Sequence, residues 1–207
     1  MGDYSRIKGY SPKVLDPAAL SIGAKESAII VLIVKGDDGD ELLLTRRTRQ
    51  MRSYADDWCF PGGGKDIADN DLLATAWREL HEETGLHEAN CHLLGQLDDF
   101  LSGSGHLVRP FVATIDTVVL QRELYTQDNE VSGTQLLPKN EWQGWMISSP
   151  PGTSSSRIPS YMYTVDEPGG ESSYIWGLTA SMLVHFCNVI FNQNHGVDKG
   201  VALARQK

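Results

Sequence analysis

Residues 78–86 read Arg-Glu-Leu-His-Glu-Glu-Thr-Gly-Leu, and the organisation of the chain is best built outward from this stretch. Around its start, apolar residues recur at helical spacing, at Leu73, Ala76 and Leu80. Gly85 is suited to end a helix, because glycine readily adopts the left-handed conformation found after a helix C-terminus. Three polar residues are N-cap candidates: Asp69, Asn70 and Asp71. The sequence therefore predicts a helix from about Asp71 to Thr84.

Three glutamates of this helix share one face. Glu79, Glu82 and Glu83 stand at i, i+3 and i+4 and project within about a 100° arc. Like carboxylates so placed repel by roughly a few tenths of a kcal/mol per pair, whereas a divalent cation turns that repulsion into binding. Mg²⁺ prefers carboxylates, water and phosphate oxygens as ligands. We predict a metal site here, with a solvated acidic surface as the alternative, and Arg78 is placed to hold the carboxylate of Glu82.

The overall charge argues against loose binding to nucleic acid. The 207-residue chain has a formal net charge of −9 at pH 7, so its long-range field repels phosphates and anionic membranes. An anionic small molecule would need local positive charge, either from a bound cation or from one group of arginines: Arg46, Arg47, Arg49 and Arg52. We expect a small-molecule nucleotide substrate, no strong nucleic-acid footprint and no membrane partner.

Composition also predicts an intracellular protein, cytoplasmic or organellar. The cysteines at 59, 91 and 187 form no C-x-x-C pair, so neither a disulfide framework nor a zinc site is indicated. Residues 1–25 lack the basic and apolar regions of a secretory signal. The apolar stretch 175–191 is shorter than the roughly 20 residues of a membrane span and is predicted as a buried core helix. The sequence leaves a homodimer open.

Hydrophobic patterning predicts one α/β domain. Strands at 27–35 and 41–46, joined by a turn at 36–39, form a hairpin whose far end carries the arginines. Further strands are predicted at 92–100, 107–115 and 160–165, and a closing helix at 177–192. We divide the chain into an arm (1–25), a domain (26–195) and a tail (196–207). The low-complexity run 148–156 is predicted as an idle surface loop, with a lid over the substrate as the alternative.

Residues 78–86 resemble the second half of the signature of the Nudix family, which they match without exception. That signature is a glycine, five residues, a glutamate and seven residues, followed by Arg-Glu, an apolar residue, any residue, Glu-Glu, any residue, glycine and an apolar residue. Counted back from Arg78, the first glycine falls on Gly64 and the first glutamate on Asn70, which cannot act as a carboxylate. In the coenzyme A pyrophosphatase branch this signature, called the box below, is one residue longer. In that alignment Gly63 is its first glycine and Asp69 takes the place of its first glutamate. The chain resembles that branch.

Flanking sequence extends the resemblance to residues 27–190. The matching stretches are Leu43-Leu-Thr-Arg-Arg-Thr48 with Arg52 before the box, Phe60-Pro-Gly-Gly63 at its start, and Pro159-Ser-Tyr161 and Tyr174-Ile-Trp-Gly-Leu-Thr-Ala180 after it. One position departs from the pattern. The branch carries a glycine four residues before the Phe-Pro-Gly-Gly element, where this chain has Asp56, and a carboxylate there could change the preference for an anionic substrate.

The resemblance implies a Nudix-type α/β/α sandwich with a mixed central sheet, and hydrolysis that depends on Mg²⁺, with Mn²⁺ as a second suitable ion. The implied metal positions are Glu79, Glu82, Glu83 and Gly63, with Arg78 as the residue that orients them. A base must take the proton of the attacking water, and Glu82 and Glu130 are the candidates; the alternative for Glu130 is a plain surface residue. The implied substrate-binding residues are Arg46, Arg47, Arg52 and Gly62. The guanidinium groups would hold phosphates, including the 3′-phosphate of coenzyme A, with a solvated strand end as the alternative.

The leading substrate prediction is coenzyme A or acyl-coenzyme A, cleaved to adenosine 3′,5′-bisphosphate and (acyl-)4′-phosphopantetheine. ADP-ribose, NADH, dinucleoside polyphosphates and an RNA cap are alternatives within the family. An alternative of another class is a Nudix-fold module that binds a nucleotide or RNA without cleaving it. The intact set of glutamates argues against that alternative.

Overall fold

A computed structural model of the protein describes residues 3–16, 25–48, 56–102, 105–125, 131–148, 160–166 and 172–196. The helices of these ranges are α1 (Ser5–Lys8), α2 (Leu72–Thr84), α3 (Thr117–Glu123) and α4 (Gly177–Phe191). The strands are β1 (Glu26–Gly36), β2 (Gly39–Arg47), β3 (Trp58–Cys59), β4 (Gly62–Gly64), β5 (His92–Gln96), β6 (Phe100–Leu101), β7 (Leu107–Asp116), β8 (Val131–Pro138), β9 (Met146–Ser148), β10 (Ser160–Asp166) and β11 (Ser172–Trp176).

The central sheet is built around β1. Every residue of β1 from Ala28 to Val34 is buried, because the sheet is covered on both faces, and this explains the continuous apolar run in the sequence. β1 pairs in parallel with β7 and antiparallel with β2 and β4. Within the described ranges the order is β3-β2-β1-β7-β5, with β6 on β7 and β8 on β2. The sheet is therefore mixed.

Apolar clusters that include helices lie on both faces of this sheet. The apolar side of α2, including Ala76 and Leu80, packs with Ile30 and Leu32 of β1. The neighbouring side chains of β1 point to the other face, where they share a second apolar cluster with α4. The predicted α/β/α sandwich with a mixed central sheet is confirmed.

Helix α4 belongs to the core, as predicted for the apolar stretch near the C-terminus. Leu183 and Phe186 are fully buried, and the helix ends at Asn192, which adopts a left-handed conformation with φ of 55°. Among the residues that the structure describes, no helix has both the length and the apolar character needed to cross a membrane.

Several elements were not predicted from local patterning: β3, β4, β8, β9, β11, α1 and α3. β8 reads Val-Ser-Gly-Thr-Gln-Leu-Leu-Pro, with no alternation of apolar and polar residues, and its strand conformation comes from pairing with β2. β9 and β11 flank β10, which was predicted, in a separate three-stranded sheet. The partner of β8 is distant in sequence, so a local pattern does not reveal this strand, whereas β9 and β11 pair with β10, their neighbour along the chain.

The N-terminal arm was predicted as irregular, but its first part contains α1 and joins the core. Ile7 is buried, and the hydroxyl of Tyr4 donates a hydrogen bond of 2.7 Å to the buried carboxylate of Asp40. The boundaries of arm, domain and tail stay a prediction.

Candidate active site

Helix α2 carries the predicted glutamate face and is fixed at both ends. Asp71 is the N-cap, and its carboxylate accepts a hydrogen bond of 2.8 Å from the backbone N–H of Ala74. Gly85 ends the helix with φ of 74°, the left-handed value expected of a glycine cap. Because the apolar side of α2 lies on the sheet, Glu79 and Glu83 are buried at its edge, whereas the side chain of Glu82 is 50% exposed.

The glycine-rich strand β4 lies directly against this face. It pairs with the start of β1, so that Gly63 stands opposite Ala28. A Cβ atom on Gly63 would lie 2.5 Å from the carboxylate carbon of Glu79, and one on Gly62 would lie 2.4 Å from the carbonyl oxygen of Ala28. Only glycine lets the backbone approach the glutamate and the neighbouring strand so closely.

Glu83 is held from the sheet side. Its Oε2 accepts hydrogen bonds from the backbone N–H of Gly62 at 3.2 Å and from the hydroxyl of Thr45 at 3.4 Å. The Thr45 hydroxyl also lies 3.5 Å from the sulfur of Cys59. Burial raises the pKa of the Cys59 thiol to about 11, the charge of Glu83 acts in the same direction, and the charge of Arg47 opposes it. The thiol therefore stays protonated at neutral pH.

Arg78 joins the acidic groups of the site. Its Nη1 donates to Oε1 of Glu79 and to Oε2 of Glu82, at 2.8 Å each. Its Nη2 donates to the carbonyl oxygen of Gly64 at 2.9 Å, and Nε and Nη2 together hold the carboxylate of Asp69 at 3.0 Å. One guanidinium thus links the helix face, the glycine strand and the loop before the helix.

In the loop before the helix, the carboxylate of Asp69 is the group that contacts Arg78. Its carboxylate meets Arg78 in a two-pronged contact and also accepts a hydrogen bond of 2.9 Å from the hydroxyl of Thr75. Asn70 is exposed. The hydrogen bonds from Arg78 hold the pKa of the Asp69 carboxyl far below its ordinary value of 3.8.

Asp69→Asn should lower the free energy of unfolding by about 2 kcal/mol at neutral pH, because it removes the charged acceptor of a part-buried pair of hydrogen bonds from Arg78. A carboxylate with a depressed pKa stabilises the fold above its unfolded-state value, so the difference from wild type should shrink as the pH falls below 3.8. Urea unfolding across that pH range measures the effect. Asn70→Ala is the matched control, and an equal loss in both variants would contradict this assignment.

The three glutamates lie together on α2, but their carboxylates do not surround one shared position. In the part of the chain that the structure describes, no three acidic, histidine or cysteine side chains are arranged to hold a metal ion. Glu79 and Glu82 are occupied by Arg78, and Glu83 by Gly62 and Thr45. The donors are nevertheless carboxylate oxygens beside a closely approaching backbone, which is the chemistry that a hard divalent cation requires.

The predicted arginines separate into different environments. Nε of Arg46 forms an ion pair of 2.8 Å with Asp56, and its guanidinium lies 5.4 Å from the ring centre of Trp58. Nε of Arg47 is buried and has no hydrogen-bond partner among the described residues. Arg52 and Glu130 lie outside the described residues.

Sequence reasoning did not assign a role to four residues that contact the predicted site. They are Thr45 and Cys59 beside Glu83, Thr75 on Asp69, and Gly64 through its carbonyl oxygen on Arg78. Thr45 lies in one of the stretches that carry the resemblance, which was the available signal. Cys59 gave no signal, because its position depends on the pairing of β3 with β2.

Comparison with known proteins agrees with this architecture. Residues 24–151 match the model of the NUDIX domain family. A protein of Yersinia enterocolitica, described as an uncharacterized Nudix hydrolase NudL, is 30% identical over 177 residues, which are 81% of this chain and 82% of the relative. The protein of the same description from Yersinia pestis is 31% identical over 173 residues, or 80% of each chain. A MutT/nudix family protein from Enterococcus faecalis superposes with a TM-score of 0.54 over 82% of this chain and 62% of that chain at 15% identity, a likeness of fold alone.

The protein is thus an α/β/α sandwich in which the helix that carries the glutamates lies against a glycine-rich strand. The chain belongs to the Nudix hydrolase family. Its activity is the hydrolysis of a compound that contains a linked nucleoside diphosphate.

Proposed function

We propose that the protein cleaves coenzyme A or acyl-coenzyme A to adenosine 3′,5′-bisphosphate and (acyl-)4′-phosphopantetheine, with Mg²⁺ bound by the glutamate face. Two contacts support the choice of substrate. Asp69 accepts a hydrogen bond from Arg78, and the backbone of Gly63 approaches the carboxylate of Glu79 closely. Asp69 and Gly63 are the two residues that the longer form of the box selects. The chain resembles the coenzyme A pyrophosphatase branch in that alignment, and Asn70 has no comparable contact with Arg78.

The proposed metal ligands are Glu79, Glu82 and Glu83, with the backbone of Gly63 beside them. A bound divalent cation supplies positive charge to the phosphate oxygens and lowers the pKa of a water ligand. The protein's own residues set the geometry: α2 and β4 present the carboxylates, and Arg78 neutralises two of them. A base must then accept the proton of the attacking water. Glu82, the most exposed of the three glutamates, is one candidate, and Glu130 is the other.

Positioning and charge neutralisation account for most of the rate of phosphoryl transfer, so the cations that hold the diphosphate matter as much as the base. Among Arg46, Arg47, Arg52 and Gly62, the position of Arg47 supports substrate binding best. Its Nε is buried and has no partner among the described residues, so a movement of the side chain would let a phosphate oxygen satisfy that donor. Gly62 would leave room for a phosphate to approach the backbone, and Arg52 is proposed as a second cation.

Product analysis tests this proposal directly. We expect purified protein with Mg²⁺ to convert coenzyme A to adenosine 3′,5′-bisphosphate, identified by chromatography and mass spectrometry. Parallel incubations contain ADP-ribose, NADH and diadenosine polyphosphate, and a sample with excess EDTA controls for the metal. Faster turnover of another compound would keep the chemistry and discard coenzyme A. Tight binding without turnover of any compound would favour a binding module.

A further inference from the structure

We propose that Thr45 is a positioning residue whose hydroxyl holds the carboxylate of Glu83 in the orientation in which the glutamate face binds a divalent cation. This inference rests on the proposed function, because it takes Glu83 as one of the metal ligands. It adds a residue of β2 to the groups of α2 and β4 that carry the site.

The backbone of Thr45 is fixed by strand pairing. Thr45 stands opposite Cys59 of β3 and opposite Thr134 of β8. It follows two residues after Leu43, which packs in the apolar cluster beneath α2, so both side chains point toward that helix. The Thr45 side chain is fully buried, and a β-branched side chain has few rotamers. The sheet therefore sets where the hydroxyl lies relative to α2.

The hydroxyl of Thr45 has two polar neighbours. Its Oγ1 lies 3.4 Å from Oε2 of Glu83 and 3.5 Å from the sulfur of Cys59. The thiol of Cys59 donates to the carbonyl oxygen of Thr45 at 3.5 Å, which gives the thiol proton an acceptor of its own. A hydroxyl has one proton, and a carboxylate oxygen is a stronger acceptor than a thiol sulfur. The hydroxyl proton therefore goes to Glu83.

Glu83 thus receives two uncharged donors from two different strands. The backbone N–H of Gly62 in β4 donates to the same Oε2 at 3.2 Å, and Arg78 binds the other two glutamates. Rotation of a glutamate carboxylate about its last bond is soft, so hydrogen bonds decide its orientation. Removing a hydrogen-bond partner of a metal-ligating carboxylate typically weakens metal binding by about 10- to 100-fold. Loss of the Thr45 hydroxyl should have an effect of this kind.

Thr45→Val tests the hydroxyl directly, because valine keeps the β-branched shape and suits a strand. We expect the dissociation constant of Mn²⁺ to rise about tenfold. Electron paramagnetic resonance of free Mn²⁺, recorded on purified protein without substrate, measures this constant. Thr45→Ser keeps the hydroxyl and should bind Mn²⁺ nearly as wild type does. Thr45→Ala is a second variant without the hydroxyl and should show the same rise as Thr45→Val.

Thr114→Val is the matched control, because it makes the same substitution on the other face of the same sheet. Thr114 of β7 pairs in parallel with Ile33 of β1, whose side chain lies in the apolar cluster that contains α4. This variant should bind Mn²⁺ with the wild-type constant. Thermal unfolding of every variant in EDTA verifies that the chain is folded before the metal is added.

The kinetic signature should follow the binding constant. In Thr45→Val the Mn²⁺ concentration that gives half the maximal rate should also rise about tenfold, and kcat at saturating metal should recover toward wild type. Unchanged Mn²⁺ affinity in Thr45→Val and Thr45→Ala would overturn the inference. A loss in Thr45→Ser as large as in Thr45→Val would also overturn it, because the hydroxyl would then not be the determinant.

The binding measurement also separates this inference from the choice of substrate. If wild type binds no Mn²⁺, the proposed metal site and the role of Thr45 fail together. If wild type binds Mn²⁺ but does not cleave coenzyme A, only the proposed substrate fails, and the comparison of the Thr45 variants still decides whether the hydroxyl positions Glu83.

Discussion

Glutamine in place of Glu82 should lower kcat by about a thousandfold, the size of effect expected when a general base or an essential ligand loses its charge. Glutamine keeps the shape of the side chain and can still accept a hydrogen bond from Arg78, but it can neither take a proton at neutral pH nor neutralise a cation. The Glu82 side chain is 50% exposed, so the fold should be retained. Steady-state kinetics at a metal concentration that saturates wild type, together with thermal unfolding, measure both quantities.

The matched control is Glu88→Gln, an exposed glutamate in the short turn after α2. It removes the same charge from the chain without touching the site, and its kinetics should equal those of wild type. Recovery of Glu82→Gln at higher metal concentration would identify Glu82 as a ligand, and lack of recovery would identify it as the base. If the two variants had equal kcat, Glu82 would have no part in the reaction.

Gly63→Ala should lower kcat/KM by about a hundredfold, because misplacing a reacting group by about 1 Å has effects of that order. The new Cβ atom would meet the carboxylate of Glu79 at 2.5 Å and force it out of place. Gly63 does not have a positive φ, so alanine adds no backbone strain there. Thermal unfolding should therefore change much less than activity does.

Gly64→Ala provides a control one residue away. A Cβ atom at Gly64 meets nothing within 4 Å, and Gly64 also lacks a positive φ. It should retain nearly full activity under the same assay, even though the shorter family signature would place its glycine there. Equal losses in both variants would show that the glycine strand tolerates no side chain at all. No loss in either would refute the close approach of Gly63 to Glu79 as a requirement.

The regular elements near the site could be predicted because their signals are local. The predicted helix from Asp71 to Thr84 corresponds to α2, with Asp71 as its cap, since apolar spacing and capping chemistry are both short-range. The hairpin of β1 and β2 follows from a buried run, a glycine turn and a second run. β8 gave no such signal, because its strand conformation is fixed by pairing with β2, which lies far earlier in the chain.

The sequence by itself determined the glutamate face of α2, because helical spacing alone places Glu79, Glu82 and Glu83 together. Only the tertiary structure decided which neighbours they meet. The pairing of β4 with β1 brings Gly63 to Glu79, and the fold of the loop before α2 gives Arg78 to Asp69. The irregular end of β2 likewise separates Arg46 from Arg47. Strand pairing and such irregularities arise from contacts between residues far apart in the chain, and a local pattern carries no information about them.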